Sequence, residues 1–458
     1  MENSGIDNLK LRASWGRLGN NAIGNYEYIS TYASGYNYSF GNKLTEAMVA
    51  TVTNEALEWE TTETIDVGLD FAVFKNRLTL ETDYYNKHTY GILYAAPIYA
   101  TVGNKSAPLQ NLCAVTNNGI ELTLGWKDSI GDFSYGISGN FTRNWNLVSK
   151  YNGELEAGWV TDEEGIRTYQ TNIGDVSTKV GNVRRTIEGR RINEFYLLNV
   201  YKGSGKYFNA DGSVNPSGGP KDGMIRTEED MAWLRAMVDA GNVFLPNKKV
   251  AKEGIWYGDY IYKDINGDGI YGDQYDYTFQ GISQTPSMFF GFNLNLSWKG
   301  IDFAARFAGA AGGAVYWNFP GYNCYAMAPE RTIAKDIAYN HYFYDPENPD
   351  DIRTNIKAKH GRLTLNYGAD QNGSSTSSNP SNLWLYKTDY LKLQNLTLGY
   401  TFPQKWVNKI GMKHARVFIS ADNVYTFTDF PGMDPAFSSV ENYYASLRQY
   451  SAGINIKF

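Results

Sequence analysis

The chain has 458 residues, and although 42% are hydrophobic, no run approaches the roughly 18 consecutive apolar positions of a membrane-spanning helix, which excludes a helical membrane protein. Forty-two Lys plus Arg against 48 Asp plus Glu leave a net charge of −6 and a pI near 5.5 without a basic stripe, which argues against a nucleic-acid partner. A transmembrane β-barrel stays open: its strands are apolar only at every second position, a mean hydropathy of −0.44 is compatible with one, and 36 Tyr, 22 Phe, 11 Trp and 46 Gly against 14 Pro favour strands and tight turns.

Met1-Glu2-Asn3-Ser4 offers neither a basic nor an apolar leader region, so no secretory signal is expected in this chain, which is either cytosolic or lacks its front. Residues 9 to 16 alternate, with Leu9, Leu11, Ala13 and Trp15 on one side and Lys10, Arg12 and Ser14 on the other. Ile65, Val67, Leu69 and Phe71 continue the theme against Asp66, Gly68 and Asp70; a turn at Lys75-Asn76-Arg77 follows, and Leu78, Leu80, Thr82 and Tyr84 return. Further hairpins are predicted at Gly119 to Trp126 with Phe133 to Phe141, and at Phe290 to Trp298 with Ile301 to Phe307 across a Lys299-Gly300 turn. Leu396 to Phe402, Val417 to Ala421 and Ile454 to Phe458 complete an all-β chain of roughly a dozen antiparallel strands. Connections alternate between a few residues and long stretches, the latter at 86 to 118, 149 to 255 and 308 to 384. Short turns below and long loops above characterise an outer-membrane barrel. The insert at 149 to 255 contains a short helix near 228 to 240, which Thr227 can cap with Asp230 at the third position and Gly241 at its end. The tract at 372 to 382, NGSSTSSNPSN, reads as small and polar.

A soluble β-sandwich or propeller is the alternative, with the apolar face packed on a second sheet. The last residues bear on the choice. Ser451, Gly453, Ile456 and Phe458 stand seven, five, two and zero places from the end of QYSAGINIKF, a spacing that resembles the C-terminal signal by which bacterial outer-membrane barrels are presented to their insertion machinery. Physically it is an edge strand with alternate apolar groups, suited to β-augmentation.

Longer segments agree in order along the chain. LKLRASWGRLGN at 9 to 20, the stretch from Asn54 to Thr89, NNGIELTLGW at 117 to 126, GDYIYKDINGDG at 258 to 269, YLKLQNLTLGYTFP at 390 to 403 and ISADNVYTFTDFPGMDP at 419 to 435 resemble the C-terminal half of SusC/RagA-type TonB-dependent transporters of the Bacteroidetes. The resemblance implies the C-terminal part of a transmembrane barrel of about 22 strands, with the plug domain, TonB box and signal peptide outside this chain. It implies residence in the outer membrane, contact with its lipid and uptake of a glycan or peptide substrate with a SusD-like surface lipoprotein. It implies coupling to the TonB complex only through the missing plug, so this chain alone is expected to be transport-incompetent. No enzymatic activity is expected. The rival is a secreted or surface soluble β protein that binds carbohydrate.

Candidate sites are few. Asp264, Asn266 and Asp268 occupy positions one, three and five of a calcium-type loop, with Gly269 for the turn, the Ile270 carbonyl next and Asp273 or Asp276 as late ligands. Tyr275 stands where an EF-hand places Glu, so a calcium site and a metal-free Asx-turn loop both remain open. His88, His341, His360 and His414 are scattered, and Cys113 and Cys324 lack partners at metal or redox spacing. Glu60, Glu63, Asp66 and Asp70 are close enough in sequence to suggest a glycosidase pair, but alternation turns Asp66 and Asp70 toward a watery lumen. Trp159, Tyr169, Trp256 and Tyr257 are candidates for stacking on substrate.

Overall fold

The computed structural model describes residues 5–21, 23–50, 53–95, 109–151, 156–163, 165, 167–171, 178–180, 183–317, 333–363, 380–437 and 446–458. Cys324 and most of the 372 to 382 tract fall outside them. Ten strands form one antiparallel meander in sequence order: β1 (Ile6–Asn20), β2 (Glu60–Val73), β3 (Leu78–Ala95), β4 (Leu109–Ile130), β5 (Phe133–Lys150), β6 (Met288–Trp298), β7 (Ile301–Ala311), β8 (Tyr390–Thr401), β9 (His414–Phe427) and β10 (Gln449–Lys457). The sheet is open, with β1 and β10 as its edges.

Every short turn lies at one end of this wall. Phe74 to Arg77 joins β2 to β3, Gly131-Asp132 joins β4 to β5, and Lys299-Gly300 joins β6 to β7. Lys299 and Gly300 have φ of 46° and 88°, the doubly left-handed geometry that matches the twist of a two-residue hairpin. The β8–β9 turn is longer and holds a one-turn helix, Gln404–Val407, followed by a 3₁₀ turn, Asn408–Ile410. At the other end run the long connections: 21–59, which carries its own hairpin (Tyr32–Phe40 with Lys43–Ala50), 96–108, 151–287, 312–389 and 428–448.

Two of these differ from expectation. The predicted loop at 86 to 118 is mostly strand, because β3 and β4 continue upward through Asn86, His88, Thr116 and Asn118. There both faces are polar and pairing is carried by side-chain bonds, Asn86 Nδ2 to Asn118 Oδ1 at 2.6 Å and His88 Nδ1 to Thr116 Oγ1 at 3.0 Å, so the apolar alternation disappears although the ladder does not. The hairpin within 21–59 is not among the predicted strands, although Tyr36, Tyr38 and Phe40 alternate with Asn37 and Ser39. Among the described residues the wall has ten strands, with further short strands in the connections.

The two faces of the wall are unlike. Ile65, Val67 and Ile419 are 51, 52 and 60% exposed, and the same face carries exposed Tyr84, Ile120, Leu122, Leu124, Ile137, Leu398 and Ile454. Among the described residues no second layer covers them; the buried clusters are built mainly from the long connections and the upper strand ends. From Ile65 to Val73 this apolar face rises eight residues, about 27 Å of strand. Tilt reduces that toward the roughly 25 Å of a transmembrane band. At the short-turn end the band is rimmed by aromatic pairs: Phe74 with Trp126, Phe133 with Tyr135 and Tyr400 with Phe402. The opposite face is polar and cross-linked. Arg12 bridges Asp70 and Asp83, with Nε to Asp70 Oδ1 and Nη2 to Asp83 Oδ2 both at 2.9 Å, and Arg416 Nε reaches Asp302 Oδ1 at 2.9 Å.

The connections 151–287 and 312–389 fold together over the long-loop end. Helix Glu228–Asp239 begins as predicted: Thr227 caps it, its hydroxyl accepting from the Asp230 amide, while Asp230 accepts from the Thr227 amide. Its buried face, Met231, Trp233, Leu234 and Met237, packs on Tyr201, Met224, Phe244 and Ile261 from the same connection and on Tyr342 and Ala358 from the other.

Candidate functional site

The loop at 264 to 276 is organised by its own carboxylates. Asp264 accepts from the Gly267 and Gly269 amides at 2.6 and 2.9 Å, Asn266 from Asp268 at 3.1 Å, Asp268 from Ile270 at 2.8 Å and Asp273 from Tyr275 at 2.7 Å. Gly267, Gly269 and Gly272 have φ of 78°, 81° and 86°, which lets the chain turn tightly around these acceptors. The amide of Asn266 also donates to Asp268 Oδ2 at 3.0 Å, using an oxygen that a cation would need. Among the described residues no group of three or more His, Cys, Asp or Glu is arranged to hold a metal ion. These hydrogen bonds are those of an Asx-turn loop, formed at the same positions that the calcium reading assigns as ligands.

Asp276 is the anchor of that loop. It is fully buried and accepts from Ile265 at 2.6 Å, Gly272 at 2.7 Å and Asp273 at 3.2 Å. Burial pushes its carboxyl up to about 6, against the pull of those amides and with the help of the nearby Asp273 charge. Loop aromatics brace the same region. Trp159 donates to the Asn266 carbonyl at 3.2 Å and meets Tyr169 edge to face at 5.7 Å; Tyr169 meets Tyr275 likewise, and Arg167 lies over the Trp159 ring. Trp256, Tyr257 and Tyr344 form a second edge-to-face series at 5.2 and 5.0 Å. They line a cleft of about 260 Å³ together with Lys252, Phe343 and Glu347, a concave feature of the roof that combines polar and aromatic groups.

One ion pair that the sequence did not reveal holds the roof together. Arg362, from connection 312–389, donates through Nε and Nη2 to both oxygens of fully buried Asp259 at 2.8 and 2.9 Å and through its Nη atoms to the Lys252 and Gly254 carbonyls. The partners are 103 residues apart, so nothing in local sequence marks them. Nearby, His360 Nε2 lies 2.8 Å from Asp336 Oδ2 and, with Asn340 also donating, holds that carboxyl down to about 2.

The remaining sequence candidates resolve as wall. Glu60 accepts from Asn20 and from the Leu93 amide; Glu63 accepts from Tyr90 and lies 3.6 Å from Arg17; Asp70 pairs with Arg12. Asp66 faces Ser14 and Tyr85 in register. Glu60, Glu63 and Asp70 are thus engaged in cross-strand contacts of the wall. His88 stacks on Tyr90, His341 Nδ1 bonds the Ile337 and Ala338 carbonyls, and His414 opens β9. Ser451, Gly453 and Ile456 lie on edge strand β10 opposite Ser420, Phe418 and Ala415, and the Phe458 carbonyl accepts from Lys413. A Cβ on Gly453 would stand 2.5 Å from the Phe418 ring, a cross-strand joint repeated where Tyr85 covers Gly119 and Phe290 covers Gly309.

Comparison with known proteins agrees with this geometry. Residues 5–224 match the TonB dependent receptor-like β-barrel family. TonB-dependent receptor P3 of Formosa agariphila is 26% identical across 99% of this chain and 40% of its own length, and TonB-dependent receptor SusC of Bacteroides thetaiotaomicron is 22% identical across 99% and 38%. The RagAB peptide importer in its open-open state shares the fold, with a TM-score of 0.66 and 21% identity over 100% of this chain and 41% of that one. The chain thus spans about 40% of the length of the curated relatives it matches. Its residues 5–224 carry the TonB-dependent receptor β-barrel match, and over nearly its whole length the chain is similar to SusC-type TonB-dependent receptors as a stretch of outer-membrane β-barrel wall.

Proposed function

We propose that the receptor to which this wall belongs imports glycan or peptide fragments across the outer membrane, and that this chain supplies ten strands of barrel and part of the roof over its mouth. The observation that carries the reading is the arrangement of the chain: an apolar outer face, a polar inner face, all short turns at one end and a co-folded roof at the other. In this reading the short turns are periplasmic and connections 151–287 and 312–389 are extracellular. The inner face, with Arg12, Asp70, Asp83, Asp302 and Arg416 tied to one another, offers a wet wall and no nucleophile or acid–base pair, so the role is translocation without covalent chemistry.

The same proposal assigns partners. A SusD-like lipoprotein closes over the roof, the TonB complex acts through a plug supplied by the rest of the receptor, and the insertion machinery reads Ser451, Gly453, Ile456 and Phe458 on the exposed edge of β10. RagAB is described as a peptide importer, which supports peptides as one substrate class. Deleting the gene from its host and following uptake of labelled oligosaccharide and peptide mixtures tests the reading, together with recovery of a lipoprotein from detergent-solubilised membranes on the tagged receptor. Loss of uptake of one class, with the lipoprotein retained, is expected; unchanged uptake of both classes would contradict it.

A further inference from the structure

The outer face near the short-turn end of β7 to β10 is not a smooth apolar band. Ile301, Leu398, Tyr400, Val417, Ile419 and Ile454 surround a hollow of about 740 Å³ lined almost wholly by apolar atoms. The register confirms that they share a face: Ile301 opposes Tyr400, Tyr400 opposes Val417, Leu398 opposes Ile419, and Val417 opposes Ile454. Directly at the lower end of these strands is a set of exposed lysines. Lys299 sits in the β6–β7 turn with its ammonium over the outward ring of Trp298, Lys405 and Lys409 are one helical turn apart in the β8–β9 turn, and Lys413 precedes β9 on the outward side. Gly300 accepts from the Thr401 amide and the Phe402 amide donates to Ala415, so these turns abut one another.

Charge on this strip is mainly positive. Asp302, the acid closest in sequence, belongs to the inner face and is bonded to Arg416; Asp132 in the neighbouring turn lies 3.8 Å from Lys299, both groups largely exposed, and Lys413 also donates to the Phe458 carbonyl. Lys457 falls on the inner face by alternation and is not counted. Beside the lysines, Trp406 and Ile410 are 59 and 66% exposed, one turn apart, as membrane-interface anchors are.

We infer that this end of the wall holds an anionic phospholipid, its headgroup on Lys405, Lys409 and Lys413 of the β8–β9 turn and one acyl chain in the hollow above. Polar and apolar features are stacked in the order in which such a lipid presents them. A zwitterionic lipid would fill the hollow but gain little from three ammonium groups. Each lysine close to an anionic membrane surface strengthens binding about fivefold, so the three supply on the order of a hundredfold preference. The inference needs only that the outer face meets lipid, not that the receptor imports any particular substrate.

Native mass spectrometry of the intact receptor, released from an equimolar mixture of phosphatidylglycerol and phosphatidylcholine, tests it. Wild type is expected to retain phosphatidylglycerol at least about tenfold over phosphatidylcholine, and high salt before release is expected to erase the preference. The combined Lys405→Gln, Lys409→Gln and Lys413→Gln variant, checked for folding by heat-modifiable gel mobility, is expected to bind the two lipids nearly equally. Ala452→Phe, which fills the hollow and leaves every charge in place, is expected to lower retention of phosphatidylglycerol. Equal binding by wild type, a preference that survives high salt or the lysine replacements, or unchanged retention in Ala452→Phe would overturn the proposal.

Discussion

Asp276 shows how a single buried acid organises a loop and what that costs. Its folded-state carboxyl sits near 6 against an ordinary value of 3.8, so the folded loop binds a proton that the unfolded chain gives up. The stability this proton contributes is fully present below pH 3.8 and is lost as pH rises through about 6, an effect on the order of 2 kcal/mol. Thermolysin cleavage within 264 to 276 is therefore expected to be slower at pH 5.5 than at pH 7.5 (about neutral) after correction for protease activity, and Asp276→Asn is expected to flatten that difference while destabilising the loop by about 1 to 3 kcal/mol through lost acceptors. Arg362 is the second residue on which the roof depends. Arg362→Ala leaves Asp259 buried without its partner, a loss of about 3 to 5 kcal/mol, visible as protease cleavage near 259; the double variant Asp259→Leu with Arg362→Met is expected to recover most of the resistance. Gly453 is the third. Gly453→Val crowds the Phe418 ring and is expected to lower the folded fraction in a urea titration by about 1 to 3 kcal/mol, and Phe418→Ala in the same chain is expected to relieve it. If the single and double variants unfold alike, the ring is not what reserves that position for glycine.

At the scale of elements, what was legible followed from what surrounds each strand. Residues 65 to 71, 120 to 126 and 290 to 298 alternate because hydrocarbon lies on one side and water on the other, so periodicity gave their strands and their facing. Where both sides are wet the signal vanishes, which is why the upper parts of β3 and β4 read as loop although Asn86 and Asn118 continue the ladder. The helix at Glu228–Asp239 was visible because its cap is local; the core it packs on was not, since Trp233 meets Tyr201 and Phe244 through contacts scattered along the chain. The acidic loop was recognised from its spacing, but the Asx-turn bonds that shape it and the burial of Asp276 behind it are contacts that spacing does not spell out. Isothermal titration with calcium is expected to give no heat beyond dilution, and a saturable exothermic or endothermic curve removed by Asp264→Ala would restore the metal site.

On the scale of the whole molecule, the sheet is inside out relative to a soluble fold: among the described residues its wide apolar face has no protein cover, its polar face is stitched by ion pairs, and the hydrophobic core sits in the connections above it. Two edges, β1 and β10, present unpaired backbone groups, which in hydrocarbon cost several kcal/mol each, so this stretch of wall requires neighbouring strands to complete it. Placing a charge on the outer face is expected to be far more damaging than on the inner one: Val67→Arg is expected to cost about 2 to 4 kcal/mol in folding into vesicles, against little for Asp66→Asn.

The measurement that bears most directly on this account is site-directed spin labelling of single cysteines at positions 64 to 71 in the intact receptor in liposomes, with native cysteines replaced. Labels at 65, 67, 69 and 71 are predicted to collide with oxygen, which partitions into lipid, and labels at 64, 66, 68 and 70 with a water-soluble nickel chelate, the two profiles alternating out of phase. Shielding of the 65, 67, 69 and 71 series from both reagents would mean that these side chains pack against protein, and the membrane wall would have to be given up.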